Sequence, residues 1–484
     1  MSPQQTIAAP DGRFASRARK IDRDRHRKLQ QLQLQGYEPF PEVHLPSRLL
    51  ATEINARHDP RELLPGVHDA WRYAVAGRVL ARRKHRHATF IDLRDQSGTI
   101  ELCVKPEQLA DARCAQLRRA DVGDIVYAHG AVYVTDNRRL TLLIDASKLL
   151  AKALRPPPGA HLVAPSESQR ALDLLANERT RAIFRARAAM TGALREWMAE
   201  HSFIEVEGPI LQRSSDGVSL RDSSRLHLRR CLLGGFERVY ELGRCAGPAR
   251  SRSPLCSPER TVLEWAAAYA DHVQAARQTE QLILRAAEAV SPRMSVRRSA
   301  RLIDFSGPWR TITVREGIQE RCGLDIFAAD ASALAAQSRL TRGSDASWDS
   351  VVLALYRNVV EPSLTQPTIV CDFPLADQPL ARRHPAHARL ASSFRVVIGG
   401  IEVASGDSEL NDPRERWDRL SRTAASSGER ERPISGDEEV RLLEYGQYPA
   451  AGAQLHIDRL LMLLTESSSV QEVIPFPRTV GGLG

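Results

Sequence analysis

Arginine and cysteine side chains crowd into one stretch of the chain, Gly234–Asp271 (GGFERVYELGRCAGPARSRSPLCSPERTVLEWAAAYAD). Arg244, Arg250, Arg252 and Arg260 lie within it, Cys245 and Cys256 lie among them, and Cys231 stands just upstream. Cysteines this close admit a metal site. Small side chains in strands and a loop are the better reading, because structural zinc sites need tighter ligand spacing. No zinc is expected. The arginines belong to a wider excess, a net charge of +9 and a pI of about 9.4. That balance suits a polyanionic partner, with RNA the natural candidate. A generally arginine-rich composition explains the same number.

The elements that must position these residues are legible around them. The stretch reads as a strand, a long loop and a second strand running into a helix. At 484 residues the chain is long enough for two or three domains, each with its own core. No run of about 18 apolar residues occurs, so no spanning helix is expected. The N-terminus, MSPQQTIAAPDGRFASRARK, has no apolar segment of the secretory kind, and the cytoplasm is the default location. The seven cysteines are odd in number and include no C-x-x-C, which argues against a disulfide framework.

In chain order, residues 1–72 form an extension whose first part looks disordered. Arg17–Gln35 reads as a helix ended by Gly36 and Pro39. Leu29, Leu32 and Ile21 give it a thin apolar face; Arg17, Arg19, Lys20, Arg23, Arg25, Arg27 and Lys28 give it a basic one. That face is either solvated, with pairs to Asp22 and Asp24, or a contact to an RNA backbone. Residues 73–150 alternate like a small β-barrel, with Gly77, Gly98, Gly123 and Gly130 at bends. Residues 151–178 are a proline-stiffened linker. From residue 179 to 484 a second domain begins with an amphipathic helix, Phe184–Ser202, followed by a strand and Pro209.

GGFERVYELGR and TVLEWAAAYAD resemble motif 2 of the lysine branch of the class II aminoacyl-tRNA synthetases. The helix, strand and proline of Phe184–Pro209 resemble motif 1, the barrel resembles the anticodon-binding OB-fold, and WRTITVREGIQE, QPTIVCDFPLADQPLARR, VVIGGIEVASGDSELND and HIDRLLMLLTESSSVQEVIPFPR align in character with the lysyl type. The resemblance covers roughly residues 17–480. It implies an α+β protein: an OB-fold barrel, then an antiparallel-sheet catalytic domain flanked by helices. It implies a homodimer through the Phe184–Pro209 region, tRNA or another RNA on the barrel and basic helix, and ATP with Mg²⁺ as cofactors. Arg78 and Phe90 match RNA-contacting positions, Phe90 either stacking on a base or filling the barrel core. Glu101 stands where a base-reading Gln is usual and Arg139 where a Glu is usual. A carboxylate has no donor for a uracil carbonyl, so reading of a lysine anticodon is in question.

The resemblance breaks where activation chemistry would occur. Attack of a carboxylate on the ATP α-phosphate needs cations on the phosphates and a water-excluding pocket. Gly247 stands at the α-phosphate Arg, Ala249 at the adenine-reading Glu and Arg260 at the adenine-stacking Phe; Arg250 and Arg252 are candidate substitutes. Arg459 survives, either on a phosphate or in an ion pair with a local acid. Gln454 and His456 replace glycines of motif 3 and are expected to fill part of the adenine site. Glu402 matches one metal-binding Glu, and its partner position is Arg395, which opposes Mg²⁺. Glu264 and Glu409 match the amino-acid pocket, where Ser223, Ser224 and Arg225 replace an Ala-Pro-Glu, Ala266 a Tyr, Ser405 an Asn and Asp407 a Phe. Three functions fit: a pseudoenzyme that binds RNA or protein, a ligase with altered substrate, or a subunit that pairs with a true synthetase.

Overall fold

The computed structural model describes residues 12–45, 47–107, 114, 116–159, 169–214, 217–247, 253–298, 300–328, 331–337, 347–427 and 434–477. The chain divides into two compact units, 1–159 and 160–484. Among the described residues no helix is long and apolar enough to cross a membrane.

The first unit is a closed five-stranded barrel of β1 (Gly66–Lys84), β2 (Thr89–Arg94), β3 (Thr99–Val104), β4 (Ile125–Val134) and β5 (Leu140–Ala151), in the order β1-β2-β3-β5-β4. Alternation decides which side chains point inward. On β2, Ile91 and Leu93 are buried while Phe90, Asp92 and Arg94 face outward. Gly130 lies where β4 and β5 approach so closely that a Cβ would stand 2.1 Å from the Leu143 carbonyl oxygen. The extension is part of this unit. β1 starts at Gly66, and Leu32, Ala51 and Ile54 join the barrel core.

The basic helix runs Gly12–Leu34 and ends at Gly36, whose φ is 77°, with Tyr37 N–H returning to Leu32 O (3.0 Å). Two of its expected RNA cations have another task. Buried Arg25 donates to Ala153 O (2.9 Å) and Val122 O (2.8 Å), and Lys28 pairs with Asp121 (2.5 Å). They fasten the helix to the barrel. Arg27 pairs with Asp24 (3.0 Å) on the exposed face. The side chains of Arg17, Arg19 and Lys20 lie outside the described residues.

The second unit is built on β6 (Ile204–Glu205), the hairpin β7 (Leu211–Ser214) and β8 (Gly217–Leu220), β9 (Arg238–Ala246), β10 (Glu259–Ala268), the hairpin β11 (Ser295–Arg298) and β12 (Arg301–Asp304), β13 (Arg310–Thr313), β14 (Thr368–Cys371), β15 (Ser393–Ile398), β16 (Ile401–Ser408) and β17 (Ala450–His456). Eight of these form one sheet, β13-β14-β15-β16-β17-β10-β9-β6, antiparallel except for the outermost pair at each edge. Helices Glu178–Glu200, His272–Val290 and Ile457–Leu464 cover one face, packing Leu194, Trp197, Ile283 and Leu460 on Trp265, Val396 and Leu455. Asp271 caps the helix after β10, accepting from Gln274 N–H (2.8 Å). Strand, loop, strand and helix therefore follow in the expected order, with β10 near the middle of the sheet.

Candidate functional site

The short segment before β9 gives no strong sequence signal, yet it folds as a helix, Arg225–Leu233. Leu228 and Leu232, one turn apart, pack on Val239, Ala266 and Ala450. A larger side chain at Ala266 would lift this helix from the sheet. The helix N-terminus meets Glu264, fully buried on β10. Ser223 Oγ donates to Glu264 (2.7 Å), and Ser224 donates to it through both its backbone N–H and its hydroxyl. A carboxylate at a helix start is held by the orphan N–H groups and the local dipole.

The same turn sends Arg225 toward β16 and the residue after it. Its Nη2 lies 2.7 Å from Asp407 Oδ1 and 3.2 Å from Glu409 Oε1. Arg229, one turn along, pairs with Glu409 (2.5 Å) and Glu439 (2.6 Å), and Arg416 pairs with Glu439. Three guanidinium groups thus neutralise three carboxylates. Burial raises the Glu409 pKa, but Arg229, Arg225 and Arg416 outweigh it and hold the carboxyl near about 2. Burial lowers Arg225, and Asp407 and Glu409 more than reverse that. Glu264 and Glu409 are therefore both fully engaged by the chain itself.

Beside this network lies a small cleft of about 70 Å³ bordered by Ser257, Arg260, Thr261, His456, Asp458 and Arg459. Arg260 reaches across to Asp222 O (2.9 Å). Asp458 accepts from Arg187 (2.7 Å) and from Thr261 N–H (2.7 Å). The local ion pair is thus Arg187–Asp458, while Arg459 donates to the backbone oxygens of Glu402 (2.8 Å) and Leu255 (3.4 Å). Gln454 was expected beside His456 in this cleft. It stands two residues before His456 on β17 and so on the same face of the sheet, in register with Glu264 and Ser405, its Nε2 buried with no partner among the described residues. Gly247 continues the β9–β10 pairing, donating to Pro258 O (2.6 Å). A Cβ there would stand 2.1 Å from Ser257 O, so this backbone has no room for a side chain. Ala249, Arg250 and Arg252 lie outside the described residues.

Comparison with known proteins places this architecture. Residues 166–480 match the family of class II tRNA synthetases (D, K and N), and residues 73–150 match the OB-fold nucleic-acid-binding domain of the tRNA anticodon type. Similar proteins include the lysine–tRNA ligase of Synechococcus sp. (strain CC9311), 34% identical over 93% of this chain and 97% of that protein. Those of Prochlorococcus marinus (strain MIT 9303) and Paraburkholderia phymatum are 35% identical over 87% and 90%, and 32% identical over 98% of each. The chain belongs to the class II tRNA synthetase family.

Class II synthetases use ATP and Mg²⁺. Glu402 on β16 offers an oxygen ligand, but Arg395, across the hairpin on β15, takes that carboxylate at 3.1 Å. A cation already occupies the place, so the residues present do not fit Mg²⁺. Burial raises the Glu402 pKa; His456, Arg395 and Arg459 overcome it and bring it to about 2. Cys245 is buried on β9, its thiol pushed up to about 11 by burial and by Glu264. The thiolate that a metal prefers is thereby disfavoured.

On the OB-fold barrel three of the four residues singled out from sequence, Phe90, Glu101 and Arg139, lie on one outward face. Phe90 stands opposite Arg83 in register, with its ring edge-on to His85 at 5.6 Å. It faces away from Ile91 and Leu93, so it is not barrel core. Asp92 and Glu101 are cross-strand partners. Arg83 forks between them at 2.7 and 2.6 Å, and exposed Arg139 lies 3.8 Å from Glu101. These groups border an open cleft of about 520 Å³ with Asn55 and His58. Arg78 faces another way, its Nη1 donating to Gly123 O (2.7 Å).

Proposed function

We propose that this class II synthetase relative does not activate lysine, and that it acts as an RNA-binding pseudoenzyme through its OB-fold barrel. The observation that carries the first half is Arg225 on Asp407 and Glu409. A substrate ammonium would have to displace a guanidinium paired with both Asp407 and Glu409, and the ATP α-phosphate would find no Arg at Gly247. One lost donor at such a site typically costs a factor of about 10²–10³. Several are absent together, so even with non-additivity activation falls to background. The barrel supports the second half: an exposed Arg139, a half-buried Phe90 and an open cleft suit stacking and backbone contacts with a single strand.

A homodimer is also proposed. Ile204 on the edge strand β6, and Ile210, Leu211, Val218, Leu220 and Phe236 near it in sequence, are all more than a third exposed. Exposed apolar side chains at and near an open sheet edge favour a cover. Sedimentation velocity is expected to give a dimer.

The deciding experiment is lysine-dependent ATP–pyrophosphate exchange on the full chain. Exchange at background is expected. Turnover above it overturns the reading, and turnover with another amino acid in a panel moves the protein to a ligase of altered specificity. Fluorescence anisotropy with tRNA tests the RNA half; a salt-dependent affinity is expected, and no binding at low salt removes it.

A further inference from the structure

A divalent cation at the β15–β16 hairpin would need oxygen ligands from both sides, and the chain supplies an arginine on one of them. We propose that the Arg395 guanidinium is a tethered replacement for that cation, so that this unit is complete without metal and indifferent to it. Arg395 is 7% exposed. Its Nη1 lies 3.1 Å from Glu402 Oε2 on β16, and its Nη2 pairs with Asp377 in the turn Leu375–Asp377. Its Cζ sits 4.3 Å from the centroid of the Phe373 ring, which fixes the plane of the fork. One buried cation thus joins two acids from two separate elements, which is the structural work of a bridging metal.

The surroundings fit a cation built in rather than one that comes and goes. A third acid, Glu361, is raised by burial and by Glu402 and pulled back by Arg395 and Arg459. Further positive groups stand outside: Arg357 on Asp377 (3.0 Å) and Arg459 on Glu402 O (2.8 Å). His456 Nε2 lies 3.8 Å from Glu402 Oε1, but burial lowers its pKa and disfavours the imidazolium. A guanidinium is always charged, planar and forked, so it can hold two carboxylates in one plane. It differs from a metal in that it cannot dissociate and cannot accept phosphate oxygens as inner ligands. The position is therefore closed to metal-bound nucleotide by covalent connection, and that closure is independent of what fills the neighbouring pocket.

The test is thermal unfolding of the full chain with EDTA, MgCl₂ or CaCl₂; Ca²⁺ is included because it tolerates irregular oxygen geometry. The wild-type midpoint is expected to be the same in all three. Arg395→Ala is expected to lower the midpoint by roughly 5–10 °C, since it leaves buried carboxylates uncompensated. Millimolar Mg²⁺ or Ca²⁺ then restores roughly 2–4 °C by binding the folded state, and adding Glu402→Gln abolishes that recovery. Arg395→Lys keeps the charge and shows no divalent response. Stabilisation of the wild type by Mg²⁺, measured also by calorimetry, overturns the proposal. So does an Arg395→Ala protein that ignores both metals, in which case the arginine is an ordinary ion pair. Should Arg395→Ala fail to fold, Arg395→Gln carries the same comparison, and the wild-type measurement stands alone. Neither amino acid nor nucleotide is present, so this result is separable from that of the exchange assay.

Discussion

Arginines meet carboxylates in both units, in different settings. On the barrel, Arg83 and Arg139 are 41% and 71% exposed and lie at an open cleft over Asp92 and Glu101. In the synthetase-like unit, Arg225 and Arg229 are 27% and 6% exposed and face Asp407 and Glu409, which are almost fully buried. Exposed pairs contribute about 0–1 kcal/mol and exchange readily with a ligand. Buried pairs leave an uncompensated charge when broken, at about 3–5 kcal/mol. The same chemistry therefore makes one surface available and the other shut. An RNA base or phosphate can take Arg139 from Glu101. On the function proposed above, a free amino acid at ordinary concentration does not take Glu409 from Arg229.

The sharpest way to break this contrast is to remove one arginine from each site. Arg229→Ala is expected to lose about 3–5 kcal/mol in chemical denaturation, because Glu409 and Glu439 remain buried without it. Arg83→Ala is expected to lose about 1 kcal/mol or less. Equal losses would dissolve the distinction.

Acid provides the next test. Glu402 and Glu409 have folded pKa values near about 2, below the usual unfolded value for Glu of about 4.3. Their stabilisation is present above the unfolded pKa and is lost as pH falls through the folded one. Stability of the synthetase-like unit is thus expected to drop by on the order of 3 kcal/mol per group between about pH 5 and pH 2. Glu409→Gln should flatten its share of that limb; an unchanged slope would mean the carboxyl is not held by its arginines.

On the barrel the expected effects fall on binding. Phe90→Ala should weaken RNA by about 1–3 kcal/mol, with little change in melting temperature because Phe90 lies outside the core. A large fall in stability with RNA affinity intact would return Phe90 to a packing role. Arg139→Ala is the smallest change. It should reduce the slope of log K against log salt by about 0.7–0.9, the share of one phosphate contact. No change in slope would assign Arg139 to Glu101 alone.

Much of the architecture was legible because its signals are local. Alternation marked the barrel strands, Gly36 marked the helix end, and the β9–loop–β10–helix order followed from periodicity. The helix Arg225–Leu233 was not read. Its one turn of leucines, Leu228 and Leu232, is too short a pattern, and Ser224, a good cap residue, turns its hydroxyl to Glu264 instead. The motif resemblance located Glu409, Glu402 and Gly247 but not what holds each. Arg229, Arg416, Asp377 and Arg187 gave no warning, since each meets its partner only after distant elements pack.

By itself the sequence determined the two-part build, the family, and the loss of particular ligand types, because these depend on residue identity and short-range spacing. Only the tertiary structure decided what replaced them. Arg225 reaches Asp407 across 182 positions, and Arg395 on β15 reaches Asp377 in a separate turn. Whether a charge is a ligand site or a filled one depends on the distance and burial of its partner, and those exist only once the chain has folded.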